Sequence, residues 1–263
     1  MSEGPRQSDN ELALGPTTLH YQVFGALSER TPLLLTHGFA SSCEMWRANA
    51  VALCGSRQVI CWDMRGHGRT TTVPDPSNFS TAASVEDIIA ILDECHAQKV
   101  VCAGLSLGGY LSLAFYLAHP ERVAALGLFD TGPGSRNDKA RERWNAYAES
   151  TAVGFETKGL AALGSSPEAL LGQHDPEGLA FAARGMLVQR DSSVIDALQE
   201  ICVPTLVLVG EKDEPFRRAA GYMAEEIPQA TLRVLAGAGH ASNIDEPQAF
   251  NSAVTEFLST LDC

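Results

Sequence analysis

Val100-Val101-Cys102-Ala103-Gly104-Leu105-Ser106-Leu107-Gly108-Gly109-Tyr110 reads as a buried strand, a sharp turn carrying a serine, and the start of a helix. It contains Gly-x-Ser-x-Gly. A serine on a strand-to-helix turn adopts a strained backbone, and the positions two before and two after it must be nearly free of side chain so that the neighbouring chain can approach. Gly104 and Gly108 meet that need. The hydroxyl then stands clear at the carboxyl end of a sheet, and the helix N-terminus behind it offers N–H groups that favour developing negative charge. The pattern alone is weak and turns up by chance. Its context, an apolar β-branched run before it and helical spacing over residues 107–117 after it, marks Ser106 as a nucleophile rather than a loop serine capping a helix.

Around this stretch, 263 residues suit one α/β domain with an insertion, or two small domains. A net charge of −13 excludes nucleic acid and anionic membrane surfaces as partners, since both demand an excess of Lys and Arg. The first ten residues lack a charged-then-apolar leader and no stretch nears a membrane span, so a soluble, cytoplasmic protein is expected. The seven cysteines are odd in number and contain no Cys-x-x-Cys pair, and Cys61, Cys102 and Cys202 sit in apolar runs. Reduced core thiols are therefore expected, with neither a disulfide frame nor a zinc site, and Cys263 is given no function.

Taken in order, residues 11–14 and 18–24 alternate around Gly15-Pro16 and predict an edge hairpin. Residues 32–36 form a short buried strand running into His37-Gly38-Phe39-Ala40, a small-residue loop whose backbone can face a ligand, and an aromatic-bearing helix follows over 43–53. Residues 58–62 predict another strand, ending in Asp63-Met64-Arg65-Gly66-His67-Gly68-Arg69-Thr70. Two glycines around His67 suggest a catalytic base, but a Gly-bent structural loop held by its own Asp and Arg is the better reading. Residues 84–96 form an amphipathic helix, with Val85, Ile88, Ile89 and Leu92 on one face and Glu86, Asp87, Asp93 and Glu94 on the other. A further strand over 123–129 closes on Asp130-Thr131-Gly132-Pro133-Gly134. Strands alternating with helices imply a mostly parallel sheet with ligands bound at the strands' carboxyl ends.

The alternation breaks over residues 135–200, which carry helical segments rich in Ala and charge and no strand-like run. Such an insertion at the ligand edge is most simply a lid. Trp144, Tyr147, Phe155, Phe181 and Met186 are available either to line a pocket beneath it or to form its own small core. Strands return over 204–209 and 231–235, followed respectively by Gly210-Glu211-Lys212-Asp213-Glu214-Pro215-Phe216 and Ala236-Gly237-Ala238-Gly239-His240, and a last helix covers 247–261.

A serine hydroxyl is a poor nucleophile until an imidazole takes its proton, and the imidazole needs a carboxylate to fix its tautomer. Of the seven histidines only His240 lies in a glycine-rich loop after the last strand, and Asp213 follows the strand before it. His20, His96, His119 and His174 read as surface or packing residues. Asp213 has rivals in Asp130, Glu211 and Glu214.

The His37-Gly38-Phe39 loop, residues 63–68, the Gly104–Gly109 turn, residues 210–213 and Gly239-His240 together resemble the α/β-hydrolase superfamily over nearly the whole chain apart from the lid. The Arg65-Gly66-His67-Gly68 loop and short lid resemble small bacterial carboxylesterases, 3-oxoadipate enol-lactonases and the carbon–carbon bond (meta-cleavage product) hydrolases of aromatic-ring degradation. The resemblance implies an α/β-hydrolase fold: a mostly parallel eight-stranded sheet flanked by helices, with a core over 1–134 and 201–263 and a helical cap over 135–200 between two strands. It implies a Ser106, His240, Asp213 triad, an oxyanion hole from the Phe39 and Leu107 amides, and no cofactor; the residues themselves suggest a substrate pocket near His37, Trp144, Tyr147, Phe181 and Met186, and no metal. Haloalkane dehalogenases and epoxide hydrolases of the superfamily use an aspartate nucleophile, and serine at 106 speaks against both.

The expected activity is hydrolysis of a small or medium carboxylic ester or lactone, by a monomer or homodimer. Cleavage of a carbon–carbon bond in a vinylogous diketone is the same-class alternative, and a non-hydrolytic ligand-binding protein the alternative from another class. No obvious arginine clamp for a dicarboxylate stands in 135–200, although Arg143, Arg184 and Arg190 are available, so the lactonase subtype stays open.

Overall fold

The computed structural model describes residues 7–164, 168–172 and 174–261. Residues 1–6 and Cys263 lie outside the described residues. Strand β1 (Gln7–Leu14) turns at Gly15, whose φ of +57° is the left-handed geometry that favours glycine, into β2 (Thr17–Phe24). There follow β3 (Leu33–Thr36), α1 (Arg47–Leu53), β4 (Val59–Trp62), the two-residue β5 (Thr71–Thr72), α2 (Thr81–Glu94), β6 (Val100–Leu105), α3 (Leu107–Ala118) and β7 (Val123–Phe129). The helices α4 (Asp138–Lys158), α5 (Pro176–Ala182) and α6 (Ser193–Asp196) come next, and no described residue between 135 and 200 is in a strand. The alternation resumes with β8 (Thr205–Gly210), α7 (Glu214–Glu226), β9 (Ala230–Leu235), α8 (Ser242–Asp245) and α9 (Pro247–Thr260).

The strands form one sheet in the order β1-β2-β4-β3-β6-β7-β8-β9, with β5 pairing β2 as a short ninth strand beside the eight expected. The strands from β4 to β9 along this order pair in parallel, and β2 joins antiparallel to β1 and β4. Strands β3, β4, β6 and β8 are buried along their whole length. That is why they read as unbroken apolar runs rather than alternating ones. Their two faces nonetheless divide by parity: Val100 and Cys102 join the layer under α2, α3 and α7, while Val101, Ala103 and Leu105 join the layer under α1 and α9. In that second layer Phe129 and Phe250 meet edge to face with ring centroids 4.9 Å apart, and Trp46 stands 5.9 Å from Phe250. A third cluster joins Ala152, Phe155, Leu179, Ala180 and Ala183 of the inserted helices to Ala40.

The order of the strands reverses between β3 and β6, so the loops leaving these two strands border a crevice at the sheet's carboxyl edge. Gly104, Gly108 and Gly38 permit the close approach. A Cβ on Gly108 would stand 2.2 Å from the Thr36 carbonyl oxygen, and one on Gly38 would stand 3.5 Å from the Ser106 Cβ.

Two expectations need correction. Asp87 is not on the solvent face of α2 but fully buried, because Arg65 reaches it through Nε and NH2, both at 2.7 Å. Cys202 is exposed; it precedes β8 on the surface, where its N–H donates to the Tyr116 hydroxyl. The other cysteines described, Cys43, Cys54, Cys61, Cys95 and Cys102, are unpaired and buried or half-buried. No helix among the described residues is long and apolar enough to cross a membrane.

Candidate active site

Ser106 occupies the turn between β6 and α3 with φ +56° and ψ −116°, a conformation sparsely populated by any residue with a Cβ. It is held there from three sides. Its N–H donates to the Phe129 carbonyl at 2.9 Å, its carbonyl accepts from the Gly109 and Tyr110 amides, and the Thr131 hydroxyl donates to that same carbonyl at 2.6 Å. Leu107 is the first residue of α3, so its N–H has no partner within the helix. Phe39 follows Gly38, which abuts Leu105 and Ser106.

Asp213 and His240 come from the loops after β8 and β9, and the two loops are closely joined. The Lys212 amide donates to the Ala238 carbonyl at 2.8 Å, and a Cβ on Gly210 would meet the Gly239 carbonyl oxygen at 2.1 Å. Asp213 precedes α7 without capping it; its Oδ2 lies 2.8 Å from His240 Nδ1 instead. Asp213 is buried, while His240 keeps about a third of its side chain exposed. The His240 ring stacks on Phe216, with centroids 5.0 Å apart.

Phe216 and Ser106 are both walls of one cavity of about 200 Å³. Its remaining lining comes from the loop after β7 (Thr131 to Gly134), from α3 (Leu107, Tyr110), from α7 (Pro215, Ala219) and from the insertion (Trp144, Leu187, Gln189). The Trp144 indole N–H donates to the Leu187 carbonyl, which fixes both on one wall. Of the five residues expected at a pocket, Trp144 is thus placed there and the other four are elsewhere. His37 is fully buried, with Nδ1–H donating to the Gly38 carbonyl at 2.7 Å and Nε2 accepting the Met64 amide at 3.0 Å; burial pushes its pKa down to about 4. Phe181 stacks on Phe79 at 5.2 Å, Met186 lies in the core layer under α2 and α3, and Tyr147 points to solvent beside Trp144. Sequence patterning missed Tyr110, Thr131, Leu187, Gln189 and Phe216. Two of these had a signal: Thr131 follows a strand's carboxyl end and Phe216 lies one turn into the helix after Asp213.

Asp130, the rival carboxylate, is fully buried after β7. Its Oδ1 accepts the Gly210 amide at 2.7 Å and its Oδ2 accepts the Ser242 hydroxyl, and burial raises its pKa to about 7 against those hydrogen bonds. His67 is buried too, its Nδ1–H donating to the Arg65 carbonyl at 3.0 Å, in a loop pinned by the Arg65–Asp87 pair. Among the described residues, one cluster has metal-ligand chemistry: His20, Cys43 and Asp63, whose ligand atoms lie within 4.8 Å of one another. These atoms are engaged in a hydrogen-bonded tie. His20 bridges Asp9 and Asp63, Asp63 accepts the Cys43 and Arg69 amides at 2.7 and 2.9 Å, and burial pushes the Cys43 thiol far up.

The sequence profile described as the Alpha/beta hydrolase family matches residues 33–253, which takes in Ser106, Asp213 and His240. The chain belongs to the alpha/beta hydrolase family. Among similar members of that family, a Bacillus subtilis protein provisionally named 2-succinyl-6-hydroxy-2,4-cyclohexadiene-1-carboxylate synthase is 30% identical over 245 residues, 86% of this chain and 89% of its own. The 3-oxoadipate enol-lactonase 2 of Acinetobacter baylyi is 29% identical over 252 residues, covering 90% of this alpha/beta hydrolase and 91% of the lactonase. Among solved structures, a thermophilic esterase from Thermogutta terrifontis superposes with a TM-score of 0.79 at 28% identity, over 97% of this chain and 99% of the esterase.

Proposed function

We propose that this alpha/beta hydrolase is a serine hydrolase of small carboxylic esters or lactones. The observation that carries the reading is one arrangement: Ser106, strained at the head of α3, lines a cavity that Phe216 also lines, and Phe216 stacks on a histidine already paired through Nδ1 to a buried aspartate. An aspartate on Nδ1 fixes the tautomer that leaves Nε2 as the base. Ser106 Oγ attacks the ester carbonyl while His240 Nε2 takes its proton. The Phe39 and Leu107 N–H groups hold the oxyanion, and the imidazolium returns the proton to the leaving alcohol. Water then attacks the acyl-enzyme by the same proton route and frees the acid. Residues 135–200 act as a cap that carries Trp144, Leu187 and Gln189 to the cavity, over a core formed by 1–134 and 201–263. The enol-lactonase and esterase among the relatives support this substrate class, and small molecules rather than polymers fit the cavity.

Hydrolysis of 4-nitrophenyl esters of increasing acyl length tests it. Short acyl chains are turned over and the rate falls as they outgrow the cavity, while Ser106→Ala lowers kcat by at least roughly 10³-fold. Turnover that is equal in Ser106→Ala and the parent enzyme would exclude the mechanism.

A further inference from the structure

The cavity beside Ser106 has no Lys, Arg, His, Asp or Glu among its described lining residues. Arg143, Arg184 and Arg190, the arginines of the insertion available to a dicarboxylate, do not line it, and Arg184 is already held by Glu149 and Glu156. The polar groups of the wall offer an anion little. The Thr131 hydroxyl donates to the Ser106 carbonyl, and Gln189 Oε1 is buried. The Tyr110 hydroxyl stays neutral, because burial and the Asp191 carboxylate both raise its pKa. A carboxylate brought here would lose its water without gaining a counter-charge, on a molecule of net charge −13.

The wall that the insertion supplies is held in place. Trp144 on α4 donates its indole N–H to the Leu187 carbonyl at 2.6 Å, and the Asn145 side chain exchanges hydrogen bonds with the Gln189 backbone at 2.8 and 3.0 Å. The segment so tied is also pressed on the core: a Cβ on Gly185 would stand 2.0 Å from the Phe79 carbonyl oxygen. Three hydrogen bonds and a backbone contact leave this wall little freedom to yield to a longer ligand. Trp144 is half-buried, and its neighbour at 5.6 Å is the Tyr147 ring, which does not line the cavity and is exposed to solvent. The indole thus stands between the cavity and solvent, and a smaller side chain opens the cavity outward rather than leaving a sealed void.

We propose that the site selects an uncharged, apolar acyl group and that Trp144 is the specificity determinant that limits its length. This rests on the serine-ester reading above. It separates this enzyme from hydrolases whose substrates carry a free carboxylate, and it gives the wall contributed by the insertion the work of measuring the acyl chain.

The experiment uses the full chain and three ethyl esters that differ at one end: ethyl 4-methylpentanoate, and ethyl succinamate and monoethyl succinate, in which a carboxamide and a carboxylate replace the isopropyl group. Acid release is followed at constant pH and ionic strength. Ethyl 4-methylpentanoate exceeds ethyl succinamate in kcat/KM by about tenfold, and monoethyl succinate by about a hundredfold or more. A second arm compares 4-nitrophenyl decanoate with 4-nitrophenyl butanoate. Trp144→Leu and Trp144→Ala raise the decanoate-to-butanoate ratio of kcat/KM by about tenfold or more, whereas Trp144→Phe, which loses the indole N–H but keeps a ring, changes it by less than about threefold. A succinate monoester cleaved as well as ethyl 4-methylpentanoate overturns the proposal, and so does a length ratio that is unchanged in folded Trp144→Leu or raised equally in Trp144→Phe. The ester ranking is read on the parent enzyme and decides without any variant. An enzyme that cleaves all three ethyl esters equally leaves the serine-ester reading standing and overturns this one; an enzyme that cleaves neither these nor the 4-nitrophenyl esters overturns both.

Discussion

Asp130 and Asp213 are two buried carboxylates within one sheet edge, and their surroundings give them different work. Asp213 spends an oxygen on His240, whereas both oxygens of Asp130 are used on the Gly210 amide and the Ser242 hydroxyl, so it braces the two loops that carry Asp213 and His240. Asp213→Asn is therefore expected to lower kcat by roughly 10³- to 10⁴-fold, because the wrong tautomer of His240 is stabilised, and Asp130→Asn by less than roughly tenfold. Equal losses in steady-state assays would contradict that division. Asp130 also leaves a mark on stability. Its folded pKa of about 7 lies above its ordinary 3.8, so between those values the folded state binds the extra proton and stability falls as pH rises. Denaturant titrations of Asp130→Asn should accordingly gain on the parent from pH 4 to pH 7; a constant difference would show that Asp130 is ionised throughout. From sequence, Asp213 is favoured over Asp130, Glu211 and Glu214 by its place after the strand before His240 and by the family resemblance, not by any difference in kind. What separates Asp213 is the direction of a side chain, which spacing does not carry.

The turn between β6 and α3 was readable because its constraint is local. Gly104 and Gly108 stand two residues either side of the serine they serve, and the steric reason for them needs no knowledge of the rest of the fold. Gly108→Ala places a methyl group against the backbone oxygen of Thr36, where neither partner can move aside, and about 1–3 kcal/mol of stability is expected to go with it. A denaturation midpoint unchanged by that substitution would mean β3 and α3 are not so close. The last helix is anchored differently, through Phe250 against Phe129 and Trp46, and Phe250→Ala should remove about 3–5 kcal/mol by opening a cavity in the layer under α1 and α9. The insertion was the least legible part. Only Ala148, Ala152 and Phe155 of the 21-residue α4 are buried, so its apolar stripe is too thin to show which way it faces. Asp87 misled for the opposite reason: a charge on an amphipathic helix normally marks the wet face, and only the distant Arg65 reverses this.

Across the molecule, the order of strands and helices fixes where chemistry can happen, and that much followed from alternation alone; the cavity itself is drawn from the loop after β7, α3, α7 and the insertion, a combination only the fold assembles. The edge ribbon is secured to the rest by the His20 bridge between Asp9 and Asp63. His20 is raised above its ordinary 6.5, chiefly by its two carboxylate partners working against burial, and Asp63 is lowered to about 2 by its hydrogen bonds to His20 and two amides. The His20 contribution is present below pH 6.5 and fades as pH rises through its folded value; the Asp63 contribution is present above 3.8 and fades as pH falls towards 2. The stability gap between the parent and His20→Gln should therefore be widest between about pH 4 and 6.5. A gap independent of pH would show that the tie carries no charge.

The central claim is that Ser106 is the activated nucleophile, and the most direct measurement is intact-mass analysis of the full chain after incubation with a fluorophosphonate, followed by peptide mapping. The predicted result is a single adduct on Ser106 that is absent in Ser106→Ala and slowed in Asp213→Asn. A chain that stays unmodified, or carries the label on another residue, would contradict it.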